Sequence, residues 1–112
     1  MADLESIQKK IISFRNERDW AQFHDPKNLA EALSIEAGEL LENFRWKTTE
    51  QSRNLSPEEL KNVKEELSDI FIFLTYLSEE YRIDLFLEVE NKIAHNAVKY
   101  PVEKAKGSAK KY

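Results

Sequence analysis

The sequence predicts an all-α protein, built as a bundle of four helices. Three observations carry that expectation. Apolar residues recur at spacings of three and four along four separate stretches, which marks one buried face on each helix. Only two Gly and three Pro punctuate the 112 residues, too few turn formers for a chain of many short strands. No stretch reads as a strand, whose apolar and polar residues would alternate with a period of two.

The first helix is expected over residues 3–18, where Leu4, Ile7, Ile11 and Phe14 share a face. The period fails at Asp19-Trp20-Ala21-Gln22-Phe23-His24-Asp25-Pro26, read as a loop. Large aromatics in a loop either plug a core or build a pocket. Asp25 is the expected N-cap of a second helix with Pro26 in its first turn. That helix runs over 27–45 on the stripe Leu29, Leu33, Leu40, Phe44. Gly38 sits inside it, at about 1 kcal/mol against Ala, and suggests the close approach of a partner helix or ligand.

Trp46 follows the helix, and the polar residues 47–55 read as a loop. Ser56-Pro57-Glu58-Glu59 is a capping box that opens a long third helix, expected to end near residue 81. Its stripe is Leu60, Val63, Leu67, Ile70, Leu74 and Leu77. Asp84 caps a fourth helix over 85–100, which Pro101 ends. There Asn96 takes a slot on the stripe Phe86, Val89, Ile93, Tyr100, and a buried Asn needs partners. Residues 1–101 are expected to form one helical domain and 102–112 a basic tail.

Two acidic pairs organise the chain. Glu36 and Glu39 are three residues apart on the second helix, and Glu66 and Asp69 repeat that spacing on the third. Three residues is about one helical turn, so each pair points one way. Glu36 stands where the stripe calls for a Leu. Glu66 and Asp69 border the other stripe, on a row that continues into Phe73 and Tyr76. Two carboxylates ~6 Å apart at an effective dielectric of ~20 repel by roughly 3 kcal/mol. Four converging acids would therefore cost on the order of 15 kcal/mol, as much as the about 5–15 kcal/mol by which a domain is stable. A divalent cation relieves that repulsion, and an all-oxygen ligand set suits Mg²⁺, with Mn²⁺ as a substitute.

Composition excludes several classes. There is no Cys, so neither a disulfide framework nor a thiolate metal site can form. No N-terminal apolar run resembles a signal peptide and no apolar stretch approaches a membrane span, so a cytoplasmic protein is expected. A net charge of −4 argues against general nucleic-acid binding. Residues 102–112 hold four Lys and one Glu, a net +3, which leaves −7 on the rest. An acidic body with a basic tail suits a tail that meets an anion such as a phosphate chain. Mg²⁺ is commonly held by a few carboxylates and completed by substrate phosphates, so a nucleoside triphosphate is the consistent substrate. Trp20, His24 and Trp46 are the candidates to stack on or bond a base, and Asn96, Lys99, Lys110 and Lys111 the candidates for phosphates. Glu39 is taken as the general base, since the second acid of a pair can bridge to water.

Taken in order, these motifs resemble the MazG-like, all-α NTP pyrophosphohydrolases, and within them the dCTP pyrophosphatase branch. The resemblance is carried by Arg18-Asp-Trp20-Ala-Gln-Phe-His24-Asp-Pro-Lys-Asn28-Leu, Glu36-Ala-Gly-Glu39-Leu and Phe44-Arg-Trp46-Lys. It continues through Glu65-Glu66-Leu-Ser-Asp69, Asn96-Ala-Val-Lys99-Tyr100-Pro101 and Gly107-Ser-Ala-Lys-Lys111-Tyr112, and so covers nearly the whole chain. It implies Mg²⁺-dependent cleavage between the α and β phosphates, giving a nucleoside monophosphate and diphosphate, in the cleansing of nucleotide pools. It implies Glu36, Glu39, Glu66 and Asp69 as metal ligands. It sets Trp20, His24 and Trp46 around the base and sugar, and Asn96, Lys99, Lys111 and Tyr112 near the phosphates. It implies a protomer that assembles into a dimer or a dimer of dimers, with sites shared between subunits.

Animal members of the branch carry polar side chains where this chain has Ile11 and Phe73, two positions expected to touch base or sugar. The alternatives are a broad-range house-cleaning NTP pyrophosphatase and a non-enzymatic, metal-binding helical partner protein. A di-iron carboxylate bundle normally needs Glu-x-x-His pairs, and no Glu here has a His three residues on.

Overall fold

The long helices form where the period and the caps coincide. A computed structural model describes residues 3–109. Helix α1 spans Leu4–Glu17, α2 Pro26–Glu42, α4 Pro57–Glu80 and α5 Leu85–Lys99. Each starts on a side-chain cap that satisfies an orphan backbone N–H. Asp3 accepts from the Ser6 N–H at 2.7 Å, Asp25 from Asn28 at 2.8 Å and Asp84 from Leu87 at 3.1 Å. At α4 the capping box is reciprocal: the Glu59 N–H donates to Ser56 Oγ at 3.1 Å, and the Ser56 N–H donates to Glu59 Oε1 at 2.9 Å. Glu59 is also bonded to Lys47, which ties the segment after α2 to the first turn of α4.

Two segments read as loops, and the basic tail, hold short helices. Trp20–Phe23 is a 3₁₀ turn, α3 is Thr49–Ser52 and α6 is Val102–Ala105. Helix α3 has a capping box of its own, Thr48 with Gln51, which the polar composition of 47–55 concealed. The 3₁₀ turn depends on Asp19, whose left-handed backbone (φ 53°) turns the chain out of α1. The Gln22 side chain donates to the Asp19 carbonyl at 3.0 Å and holds that turn. No strand is present among the described residues.

The chain divides into two compact units, one up to Tyr81 and one from Arg82 on, a division that lies within the stretch read as one domain. Arg82, at the boundary, is the second residue with a positive φ. In the first unit α2 packs along α4, while α1 lies against α4 and the 3₁₀ turn. Leu29 and Tyr76 are the fully buried apolar residues there, at 1% and 4% exposed. Leu33, Leu40, Val63, Ile70, Leu74 and Leu77 are half-buried, as their stripes predict. Leu60 and Leu67 depart from the expectation and are exposed. Ile70-Phe71-Ile72-Phe73-Leu74 is only half-covered, although its apolar character all round predicts burial. A Cβ added at Gly38 meets nothing within 4 Å among the described residues, so no other helix of this chain comes close to it there.

The second unit contains α5 and α6. Val89 and Ile93 on the α5 stripe are exposed, and Asn96 is half-buried. No helix of the described residues is long and apolar enough to cross a membrane.

Candidate active site

The packing of α2 along α4 brings three of the four predicted acids together, and Asp69 stands outside that group. One carboxylate oxygen each from Glu36, Glu39 and Glu66 lie within 4.8 Å of one another. Glu36 and Glu66 are half-buried and Glu39 is exposed, so the cluster opens toward solvent on one side. Glu36 Oε2 and Glu66 Oε2 are buried with no hydrogen-bond partner. The Glu36 carboxyl is pushed up to about 7. The contact with the Glu66 carboxyl is the main cause, followed by burial and the negative charge of Glu39 and Asp69. Two buried acceptors cannot face each other unless a proton or a cation lies between them. The donor set is all oxygen, partly dehydrated and open on one side, which fits a hard divalent cation.

Asp69 connects this cluster to a cavity of about 470 Å³ on α1, the 3₁₀ turn and α4. The walls include Ile11, Phe14, Trp20, His24 and Phe73. Trp20 meets Phe14 edge to face, with ring centroids 5.7 Å apart. The His24 ring lies 4.7 Å from that of Tyr76, and its Nδ1 is buried without a partner. Burial, and then the nearby Arg15 charge, lower the His24 pKa, which favours the neutral imidazole. Burial also raises the Tyr76 phenol.

The sequence reading missed the support beneath this cavity. Arg15 is only 6% exposed. Its Nη1 lies 3.4 Å from Glu80 Oε1, and its guanidinium carbon 5.5 Å from the centre of the Tyr76 ring. Tyr76 therefore packs against both Arg15 and His24. The signal was present: Arg15 falls four residues after Ile11, on the apolar row of α1, where a charge needs a partner.

The sequence-predicted residues thus separate into groups. Glu36, Glu39 and Glu66 converge, and Asp69 joins them to Trp20, His24 and Phe73. Trp46 lies apart from that cavity, 79% exposed, with the Arg45 guanidinium 4.6 Å over its ring. It borders a different depression with Glu42, Asn43, Thr48 and Asn54. Asn96 and Lys99 belong to α5 in the second unit. There the Asn96 carbonyl accepts from the Tyr100 N–H at 2.7 Å, and the Lys99 ammonium lies 5.5 Å from the Tyr100 ring. Lys110, Lys111 and Tyr112 lie outside the described residues.

Comparison with known proteins bears on this geometry. The sequence pattern of the MazG-like family matches residues 32–112. The chain is 44% identical over 111 residues to dCTP pyrophosphatase 1 of Homo sapiens, covering 97% of this chain and 65% of the human protein. Identity to dCTP pyrophosphatase 1 of Bos taurus is 46% over 111 residues, with 97% and 66% covered. The chain therefore spans just under two thirds of the length of these curated relatives. A crystal structure of a pyrophosphatase from Archaeoglobus fulgidus superposes with a TM-score of 0.82 at 33% identity, covering 90% of this chain and 94% of that one.

Proposed function

This chain belongs to the MazG-like family, and from that premise we propose that it is a nucleoside triphosphate pyrophosphohydrolase that cleaves dCTP to dCMP and diphosphate. The convergence of Glu36, Glu39 and Glu66 oxygens within 4.8 Å, beside an aromatic cavity that shares Asp69, is the observation that carries this reading. The relatives named dCTP pyrophosphatase 1 support the substrate.

Glu36, Glu39, Glu66 and Asp69 would hold Mg²⁺, with Mn²⁺ as a substitute. When bound, the cation supplies Lewis-acid polarisation of a phosphoryl oxygen and lowers the pKa of water. Glu39, the exposed acid of the cluster, takes the proton from water as the water oxygen bonds to the α phosphorus. The bond from that phosphorus to the bridging oxygen breaks, and diphosphate leaves with the electron pair. Trp20, His24 and Phe73 hold the base against α4, with the α phosphate directed toward Asp69. By the family resemblance, Lys99 and Lys111 would offset the charge of the departing phosphates, and Asn96 and Tyr112 would donate hydrogen bonds to them.

The protomer acts as a homodimer or a dimer of dimers. Ile35, Leu41, Leu60 and Leu67 are exposed on α2 and α4, apolar area of the kind that a subunit contact covers. The exposure of Trp46, away from the cavity of its own chain, supports a role in completing a neighbouring protomer's site. The expected cellular role is the removal of dCTP or modified deoxynucleotides from the nucleotide pool, in the cytoplasm.

Diphosphate release from dCTP, followed with and without Mg²⁺, tests the assignment. The expected result is release only with the ion, and a loss of at least 10²-fold in kcat/KM for Glu66→Gln or Asp69→Asn. Undiminished release in those variants overturns it.

A further inference from the structure

Among the described residues of the first unit, Arg15 is the charged side chain that is buried, at 6% exposed, and the reaction described above gives it no part. It is not one of the residues that line the cavity beside Asp69. Its Nη1 lies 3.4 Å from Glu80 Oε1 and its Nε 3.4 Å from Asn16 Oδ1, both long for hydrogen bonds. Apolar residues of similar volume often match or better a buried ion pair in stability. On the apolar row of α1 a Met would fill the same space. Stability alone therefore does not account for a guanidinium at this position.

What the guanidinium backs is the ring of Tyr76, whose centre is 5.5 Å from the guanidinium carbon and which is itself only 4% exposed. Tyr76 bears on the His24 ring at 4.7 Å and meets Phe73 edge to face at 6.2 Å. His24 and Phe73 line the cavity. Glu80, Arg15, Tyr76 and His24 thus stand in series, drawn from α4, α1, α4 again and the end of the 3₁₀ turn. The segment Trp20–His24 rests on two rings, Phe14 of α1 under Trp20 and Tyr76 of α4 under His24. All of these contacts lie within one chain.

We propose that Arg15 is a positioning residue for the nucleotide: by backing Tyr76 it sets where the His24 ring stands at the cavity wall, and so tunes substrate affinity without touching substrate. The proposal rests on the pyrophosphohydrolase reading above, in which Trp20, His24 and Phe73 hold the base. Small displacements of a binding group are costly, so a residue two layers behind the wall has leverage on the site.

The test compares the full chain with Arg15→Met, made alone and together with Glu80→Gln so that no carboxylate is left unpaired. Both variants are expected to melt cooperatively. With dCTP and Mg²⁺, KM should rise by roughly three- to tenfold, the scale of one ring contact, and kcat should stay within about threefold. Tyr76→Leu removes the link, so adding Arg15→Met to it should raise KM no further. Imidazole proton resonances supply a readout that a loss of stability would not move. The chain has two His, and His95, on α5 in the other unit, is the internal control. At about pH 8.5, well above the ordinary imidazole pKa of about 6.5, the His24 signals of Arg15→Met should shift as the Tyr76 ring moves, and those of His95 should stay. A KM changed by less than about threefold, or unmoved His24 signals, overturns the inference and leaves the enzymatic reading intact. A further rise in KM on adding Arg15→Met to Tyr76→Leu also overturns it. No diphosphate from the parent chain overturns both.

Discussion

The carboxyl of Glu36 on α2 lies against that of Glu66 on α4, and each buries its Oε2 with no hydrogen-bond partner. The arrangement places like charges at the seam between the two helices. The same contact raises the Glu36 pKa to about 7.

Stability should therefore fall with rising pH when metal is withheld. The Glu36 pKa is raised in the folded chain, from about 4.5 to about 7. A raised folded pKa means that the native state binds the proton more tightly than the unfolded chain does. Its contribution is fully present below about pH 4.5 and is lost as pH rises through about 7. Thermal melts in a chelator should show a declining Tm across that window. Saturating Mg²⁺ should restore Tm above pH 7, as a ligand of the native state must.

Neutralising one acid should separate stability from activity. Glu36→Gln removes a charge from the cluster, and in chelator at pH 8 its Tm should exceed that of the parent by roughly 4–8 °C, the shift made by about 1 kcal/mol in a domain of this size. Diphosphate release should fall by about 10²-fold or more, a loss of about 2.7 kcal/mol in transition-state stabilisation. A melt that moves the other way would show that the carboxylates do not repel.

Arg15 should matter to both the fold and the cavity. Truncation to Ala leaves Glu80 without its partner and Tyr76 without the guanidinium beside its ring. Removing one member of a buried ion pair costs about 3–5 kcal/mol, and the partial exposure of Glu80 reduces that to about 2 kcal/mol. Urea denaturation should report the loss as a lower midpoint at unchanged slope.

Gly38→Ala should be harmless to the fold and stabilising. A Cβ at this position meets nothing within 4 Å. Ala in place of Gly inside a helix gains about 1 kcal/mol, visible as a higher Tm. A lower Tm in the assembled protein would place a neighbouring subunit against this turn of α2.

Acid should weaken the tie between Lys47 and Glu59. The Lys47 ammonium and the Ser56 N–H hold the Glu59 carboxyl down to about 2. A lowered folded pKa contributes stability above the unfolded value, lost as pH falls toward about 2. Lys47→Met should therefore show a shallower loss of Tm than the parent between pH 4.5 and 2.

Much of this was legible along the chain because helical periodicity and capping are local. Asp25-Pro26, Ser56-Pro57 and Asp84 each open a helix where the sequence puts it, since a cap needs only a backbone three residues away. The spacing within each acidic pair fixed that both acids share a face. The short helix α3 escaped notice because its capping box lies in a polar stretch with no apolar stripe.

By itself the sequence determined the helices, their caps and the internal direction of each acidic pair, because all of these depend on contacts within one or two turns. Only the tertiary structure decided that Glu66 meets Glu36, that Arg15 packs beneath Tyr76 and that Trp46 lies apart from Trp20. Those relationships link residues 26 to 61 positions apart, and no local period encodes how one helix is placed against another.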